Sequence, residues 1–166
     1  MIIYIGADHR GFELKENLKE RLLREAYEVV DLGNEAYDEN DDYPDFAEAV
    51  AGAVAQNPAE DRGIVICGSG VGVDVVANKF GGVRSALVAT VEQARLARQD
   101  DDVNVLAIAA DFIDTETAFA VADMFLETEF DHAENHQRRI DKIDALESGI
   151  SEGEEIQAGD EAGIAE

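Results

Sequence analysis

A buried-strand signal that runs directly into a glycine loop is the feature that most constrains this chain. The β-branched run at 64–66 ends at Cys67, the only cysteine, and is followed by Gly68-Ser69-Gly70-Val71-Gly72. The run predicts a buried strand, and the glycines predict a tight loop entering a helix near Val73. Ligands of open α/β sheets bind beyond the carboxyl ends of such strands, so we expect Cys67 at a binding edge.

The helix that follows this loop would direct free backbone N–H groups toward Cys67. Such donors stabilise a thiolate and can also stabilise an oxyanion that develops on a substrate. The alternative is a buried structural cysteine that packs as a small apolar residue.

Apolar runs alternate with helical patterns along most of the chain. Strands are predicted over residues 1–5, 27–32, 64–67, 84–89 and 103–109, and helices over 12–22, 43–55, 73–79, 91–98, 115–126 and 132–146. Strict alternation favours parallel strands joined by right-handed crossovers. We therefore predict an α/β fold, a Rossmann-like three-layer sandwich with a five-stranded parallel sheet and helices on both faces.

The 166 residues suffice for one domain, which we place at residues 1–147. Residues 148–166 contain six acidic residues, four glycines and no lysine or arginine. This segment lacks the apolar surface needed to offset its ordering entropy, and it is predicted to be a disordered acidic tail.

The charge of the chain excludes several classes of partner. Thirty-eight acidic residues against 13 lysines and arginines give a formal net charge of −25, which repels nucleic acid and anionic membranes. No segment has the length of a membrane span, and the N-terminus lacks the pattern of a signal peptide, so a cytoplasmic location is predicted. The acidity fits either a salt-rich cytoplasm or simply a very soluble protein.

One cysteine excludes an internal disulfide framework, and no Cys/His cluster has zinc-ligand spacing, so no metal site is predicted. Polar residues instead gather after the other predicted strands. The first strand is followed by Asp8-His9-Arg10, and a later loop carries Asp42-Tyr43-Pro44. A carboxylate and an imidazole at one strand end can converge on a polyol.

These motifs resemble, in order and spacing, the family of ribose-5-phosphate isomerase B and the galactose-6-phosphate isomerase subunits. The matching segments are Gly-Ala-Asp-His at 6–9, Asp-Tyr-Pro at 42–44, Cys-Gly-Ser-Gly-Val-Gly at 67–72, Ala-Asn-Lys at 77–79, Asn-Val-Leu at 104–106 and His-Gln-Arg-Arg-Ile at 136–140. The resemblance spans residues 1 to about 146. It implies interconversion of an aldose and a ketose phosphate through a cis-enediolate, without a metal or another cofactor.

The resemblance also implies roles for individual residues. Cys67 would be the base that moves a proton between C1 and C2, with Ser69 beside it, and the backbone of 68–72 would hold the enediolate oxygen. Asp8 would bind sugar hydroxyls, His9 would reach the phosphate, and Tyr43 would line the pocket. The remaining residues expected to contact substrate are Gly68, Gly70, Val71, Gly72, Arg10, Asp101, His136 and Arg139.

Three positions depart from the family pattern. Asp100 stands where many members have a ring-opening histidine, so it is the candidate for that step. Asp111 and Asn135 replace arginines of the phosphate clamp, leaving Arg139, with Arg138 beside it, and Arg10. A carboxylate close to a phosphate dianion would cost several kcal/mol if both stayed charged.

Three hypotheses remain open. The chain is an isomerase of a pentose or hexose phosphate, an isomerase of a different or less anionic sugar, or a non-catalytic sugar-binding subunit of a paired isomerase. We expect a homodimer or homotetramer with shared active sites, as the resemblance implies. Two structural alternatives also stand, namely that Asp8 only caps the next helix and that 100–102 form a solvated turn.

Overall fold

Five strands form one parallel sheet in a computed structural model that describes residues 1–151. They are β1 (Ile2–Ala7), β2 (Glu28–Asp31), β3 (Arg62–Cys67), β4 (Ser85–Leu87) and β5 (Val105–Ala109). Their order in the sheet is β2-β1-β3-β5-β4, with every pair parallel. The predicted α/β class and five-stranded parallel sheet are confirmed.

Six helices cover the sheet within the described residues. They are α1 (Phe12–Arg24), α2 (Tyr43–Val54), α3 (Val71–Ala77), α4 (Val91–Asp101), α5 (Thr115–Glu127) and α6 (Glu134–Ser151). Helix starts follow ordinary chemistry: the Thr90 and Asp114 side chains accept backbone N–H bonds at the starts of α4 and α5, and Pro44 lies in the first turn of α2.

Side chains that alternate along the strands build a core on each face of the sheet. On one face, Ile64 and Ile66 pack with apolar residues of α1, α4 and α5. On the other, Val65 and Cys67 pack with residues of α2 and α3. This alternation makes three layers and places the thiol on the α2–α3 side. Helix α6 packs mainly on α4 and buries Ile140.

The strand order creates a crevice between two central strands. From β1 the chain moves outward to β2 and then crosses back to β3, so consecutive connections leave opposite sides of the β1–β3 pair. In register, Ala7 lies beside Ile66, and Cys67 lies beside Ala109. The loops after β1, β3 and β5 therefore meet at one edge of the sheet.

Several boundaries differ from the predicted ones for identifiable reasons. Helix α3 begins at Val71 rather than 73, because Gly70 adopts a left-handed conformation (φ +72°) and acts as its N-cap. Helix α6 begins at Glu134 because His132 also has a positive φ of +53°. Helix α4 extends to Asp101, so the predicted solvated turn at 100–102 is wrong for its first two residues.

The predicted tail lies largely outside the described residues. Its first four positions, 148–151, belong to α6, and residues 152–166 are not described. The boundary at residue 147 stays a prediction. None of the helices within residues 1–151 combines the length and apolar character needed to cross a membrane.

Candidate active site

A cavity of about 330 Å³ opens where the loops after β1 and β3 meet the start of α2. It lies at the crevice that the strand order creates. Eight residues line it, and all eight were predicted as site residues: Asp8, Arg10, Tyr43, Cys67, Gly68, Ser69, Val71 and Gly72. Positions far apart in sequence are thus brought together as expected, whereas their individual roles stay predictions.

Cys67 occupies the inner end of this cavity. It is the last residue of β3, and only 4% of its surface is exposed. The backbone N–H of Gly70 donates to its Sγ at 3.2 Å. This donor comes from the loop that curves over the strand end, so one backbone N–H points directly at the sulfur.

The glycines of this loop allow its backbone to pack closely against neighbouring groups. A Cβ on Gly72 would lie 2.6 Å from ring atoms of Tyr43, and a Cβ on Gly70 would come 3.0 Å from the backbone nitrogen of Ala109. Gly70 also has the positive φ that side chains disfavour. The loop therefore packs tightly between the α2 start and β5, and the tyrosine ring forms part of the cavity wall.

Asp8 is a buried carboxylate directly after β1. Its Oδ1 accepts the N–H groups of Arg10 at 3.0 Å and Gly11 at 3.1 Å. Gly11 is the N-cap of α1 and no side chain caps that helix, so the alternative that Asp8 caps it is wrong. Asp8 instead stabilises the turn before α1 through Oδ1, and its Oδ2 has no hydrogen-bond donor within residues 1–151. Burial raises the pKa of the Asp8 carboxyl above its usual value, and these backbone donors and His9 counter part of that rise.

His9 lies beside the cavity and is not one of the residues that line it. Its side chain and backbone are bound by Asp41, a residue outside the predicted site. Asp41 accepts from His9 twice, from the backbone N–H at 2.9 Å and at the ring Nδ1 at 2.7 Å, and it also accepts from Asn34. The hydrogen bond to Asp41 raises the pKa of His9 above its usual value. No local pattern in the sequence indicates this contact, because 32 positions separate the two residues.

Arg10 forms an ion pair with Asp111, the residue that follows the end of β5 by two positions. Asp111 is itself fixed by a backbone bond from its N–H to the carbonyl of Gly68 at 3.0 Å. The carboxylate of Asp111, which stands where the family has an arginine of its phosphate clamp, is therefore neutralised by the guanidinium of Arg10. That pairing offsets the charge of Asp111, from which the sequence predicts repulsion of a phosphate.

The other predicted site residues do not line this cavity. Asp100 and His136 approach one another between α4 and α6, with 3.9 Å between His136 Nδ1 and Asp100 Oδ1. Asp131 joins them, accepting from His136 Nδ1 at 2.9 Å, and hydrogen bonds from Ala133 and His136 lower its pKa. We call Asp100, Asp131 and His136 the α4–α6 cluster; Asp131 was not predicted.

Two further residues lie near the α4–α6 cluster but away from Cys67. Asp101 lines a separate groove of about 430 Å³ between β4 and α6. Arg139 is exposed on α6, and within the described residues it has no hydrogen bond or ion pair. Asn78, in contrast, takes the structural role left open by the sequence, because its side chain bonds both the N–H and the carbonyl of Ser85.

Known proteins resemble this chain over nearly all of its described length. A family model described as ribose/galactose isomerase matches residues 3–143. A probable ribose-5-phosphate isomerase B of Mycoplasma genitalium is 48% identical over 141 residues, which cover 85% of this chain and 92% of that protein. The ribose-5-phosphate isomerase B of Mycobacterium tuberculosis is 40% identical, covering 85% and 86%.

Solved structures show the same fold. The ribose-5-phosphate isomerase B of M. genitalium with bound ribulose-5-phosphate has a TM-score of 0.86 at 46% identity, covering 89% of this chain and 96% of that one. The ribose-5-phosphate isomerase B of Clostridium thermocellum has a TM-score of 0.85 at 39% identity, covering 90% and 99%. Family model, sequence identity and fold agree with the predicted resemblance, and this chain belongs to the ribose/galactose isomerase family.

Proposed function

We propose that this chain interconverts ribose 5-phosphate and ribulose 5-phosphate by proton transfer through a cis-enediolate, with Cys67 as the base. One observation carries the proposal: the thiol lies at a strand end inside the 330 Å³ cavity, under the loop whose Gly70 N–H donates to its sulfur. Proteins of 40–48% identity that bear the name ribose-5-phosphate isomerase B support the substrate class.

The chemistry needs a base, an oxyanion site and a group that holds hydroxyls. The Cys67 thiolate removes the proton from C2 of the open-chain aldose, and the C1 carbonyl becomes an enediolate oxygen. The thiol then returns its proton to C1 while the O2 proton moves to O1, which leaves a ketone at C2. N–H groups of the loop 68–72 face the oxyanion, and a preorganised donor contributes about 10²–10³-fold in rate.

Asp8 and Ser69 serve the substrate hydroxyls in this scheme. The Asp8 carboxylate is fixed by its backbone donors, so its second oxygen can accept a sugar hydroxyl without reorganising. Ser69 is exposed on the open side of the cavity and provides a hydroxyl that can both donate and accept. The Tyr43 ring packs against Gly72 and forms part of the cavity wall beside the substrate.

The residues of the α4–α6 region enter the proposal through a second copy of the chain. Asp100, Asp101, His136 and Arg139 lie off the cavity of their own protomer, so a homodimer or homotetramer with shared sites would bring them to a neighbour's Cys67. Asp100 would then act in ring opening and Arg139 at the phosphate. The cytoplasmic location likewise stays a prediction.

Shared sites can be tested by mixing two inactive variants. Cys67→Ala lacks the base, and Arg139→Gln combined with Asp100→Ala lacks the groups of the other region. If sites are shared, co-refolded mixtures regain activity in the mixed oligomers, whereas each variant alone stays inactive. A mixture with no recovered activity, despite mixed oligomers detected by mass, would contradict shared sites.

A substrate screen decides between the proposed reaction and its alternatives. The panel is ribose 5-phosphate, allose 6-phosphate, galactose 6-phosphate and the free sugars, each at low and high salt. We expect turnover of ribose 5-phosphate, and exchange of its C2 hydrogen in deuterated water that is lost in Cys67→Ala. Val65→Ala is the matched control, since it removes a buried side chain on the same face of β3 outside the cavity. Wild-type exchange in Cys67→Ala would exclude Cys67 as the base.

A further inference from the structure

Arg10 has surroundings that ordinary surface arginines lack. It is the one lysine or arginine among the described residues that line the cavity containing Cys67. On its other side it lines a second space of about 190 Å³ near the starts of α1 and α5. In a chain with a net charge of −25, an anionic substrate needs a local cation of this kind.

The guanidinium of Arg10 rests directly against the backbone next to the catalytic loop. A Cβ on Gly68 would lie 2.5 Å from its Nε and 2.6 Å from its Cζ. Only a glycine at position 68 leaves space for the guanidinium there. The guanidinium of Arg10 therefore lies against Gly68, the residue that follows Cys67, although about half of the Arg10 side chain is exposed.

Asp111 sets this position. Its carboxylate accepts from Nη2 of Arg10, and the backbone N–H of Asp111 bonds the carbonyl of Gly68. One carboxylate therefore ties the arginine to the end of β5. Within residues 1–151, Nε and Nη1 of Arg10 have no hydrogen-bond acceptor, which leaves donors for a ligand.

We propose that Asp111 is a positioning residue that holds Arg10 over Gly68 so that the free N–H groups of Arg10 bind the anionic end of a sugar phosphate. This inference rests on the proposed isomerase function and adds a specificity determinant to it. It also explains an acidic residue at the edge of an anion-binding cavity, because Asp111 acts on the substrate through its arginine. Arginine suits this task, since its planar fork can bond two groups at once.

The test is a double-mutant cycle in which KM and kcat for ribose 5-phosphate are measured for Arg10→Gln, Asp111→Asn and the double variant. Arg10→Gln should raise KM for ribose 5-phosphate about a hundredfold, as expected for lost charge-assisted bonds. Asp111→Asn should raise KM about tenfold with kcat changed less than about threefold, because the arginine loses its anchor. In the Arg10→Gln background the same Asp111→Asn change should instead lower KM by about twofold, because only repulsion of the phosphate remains.

This reversal of sign separates positioning from a structural role. A change that merely weakened folding would alter KM in the same direction in both backgrounds. Glu92→Gln is the matched control, since it removes one carboxylate from an exposed ion pair with Arg95 that lines neither cavity. A lower KM for Asp111→Asn alone would overturn the inference, because Asp111 would then only repel the substrate.

Calorimetric titration with inorganic phosphate, ribose 5-phosphate and ribose separates this inference from the proposed reaction. Wild-type protein that binds ribose 5-phosphate more tightly than ribose, with the same dependence on Arg10 and Asp111 in Kd, supports the inference even if no isomerisation occurs. Turnover of ribose 5-phosphate without any effect of either substitution overturns the inference and leaves the reaction standing.

Discussion

The cavity around Cys67 and the α4–α6 cluster are assembled in different ways. The cavity collects loops from the carboxyl ends of β1 and β3, which lie side by side in register. The cluster joins the last turn of α4, the segment before α6 and the first turn of α6, all near the surface. Strand pairing fixes the first arrangement within a protomer, and helix packing fixes the second.

The difference indicates how the proposed chemistry is divided. The buried region holds the thiol and the oxyanion donors, which need a dry and rigid setting. The α4–α6 region holds His136 and the exposed Arg139, which has no partner within residues 1–151, and such a cation suits a surface that contacts another copy. Loss of Cys67 should therefore affect the chemical step, whereas loss of Arg139, like loss of Arg10 at the cavity, should affect binding of the phosphate.

Cys67→Ala is expected to have the largest effect. Loss of the base should reduce kcat about 10³-fold or more while the circular dichroism spectrum stays unchanged. The measurement is steady-state turnover of ribose 5-phosphate. If Asp100→Ala reduced kcat more than Cys67→Ala did, the division between the two regions would be reversed.

Gly70→Ala tests how strained the buried region is. Its φ of +72° and the close approach of Ala109 should lower the free energy of unfolding by about 1–3 kcal/mol, with loss of activity. Urea unfolding measures the change. The control is Gly52→Ala, a helical position whose nearest contact for an added Cβ is 3.7 Å away, where about 0.5–1 kcal/mol of stabilisation is expected. Equal destabilisation at both positions would contradict the strain argument.

Arg139→Gln addresses the exposed region. We expect a KM for ribose 5-phosphate raised about tenfold with unchanged stability, because the side chain is exposed and has no partner in the described part of the protomer. Arg138→Gln, the adjacent and equally exposed arginine, is the control and should change KM less than about twofold. Similar effects of the two substitutions would indicate a general electrostatic effect rather than a phosphate contact.

The smallest effect concerns the His9–Asp41 pair at the cavity edge. Because the folded state raises the pKa of His9, chiefly through the Asp41 hydrogen bond, the pair stabilises the protein fully below pH 6.5. That contribution is lost as the pH rises through the folded-state pKa. Asp41→Asn should lower the His9 pKa measured by NMR, with the signals of His132 as internal reference, and the stability difference from wild type should shrink above that pH. A difference that grew with pH would show that the sign is wrong.

The periodicity of apolar residues predicts most of the strands and helices of the fold. The alternating strands and helices, the buried run before Cys67 and the loops that line the cavity were all predictable, because each depends on residues close together in sequence. The start of α3 was missed by two residues, since nothing local shows whether Gly70 ends the loop or caps the helix. Strand β4 is likewise shorter than the apolar run predicts, spanning Ser85–Leu87 instead of 84–89.

Contacts over long sequence separations were not predictable in the same way. No local pattern indicates Asp41, because its partner His9 lies 32 positions away in the loop after β1. Asp131 contacts nearby His136, but the cluster forms only when α4 brings in Asp100 from 31 positions earlier. From the sequence alone, the carboxylate of Asp111 predicts repulsion of a phosphate. Its true partner, Arg10, is 101 positions away, and only the packing of the loops after β1 and β5 brings the two charges together.

The sequence by itself therefore determined that a thiol ends a central strand beneath a glycine loop, because side-chain periodicity and glycine conformation act locally. The tertiary structure decided which charges face the thiol and which lie apart from it. Parallel register aligned Asp8 and the loop 68–72 with Cys67, while the packing of α6 on α4 kept Asp100 and His136 away. Charges interact through space rather than along the chain, so their balance at the site became visible only in the fold.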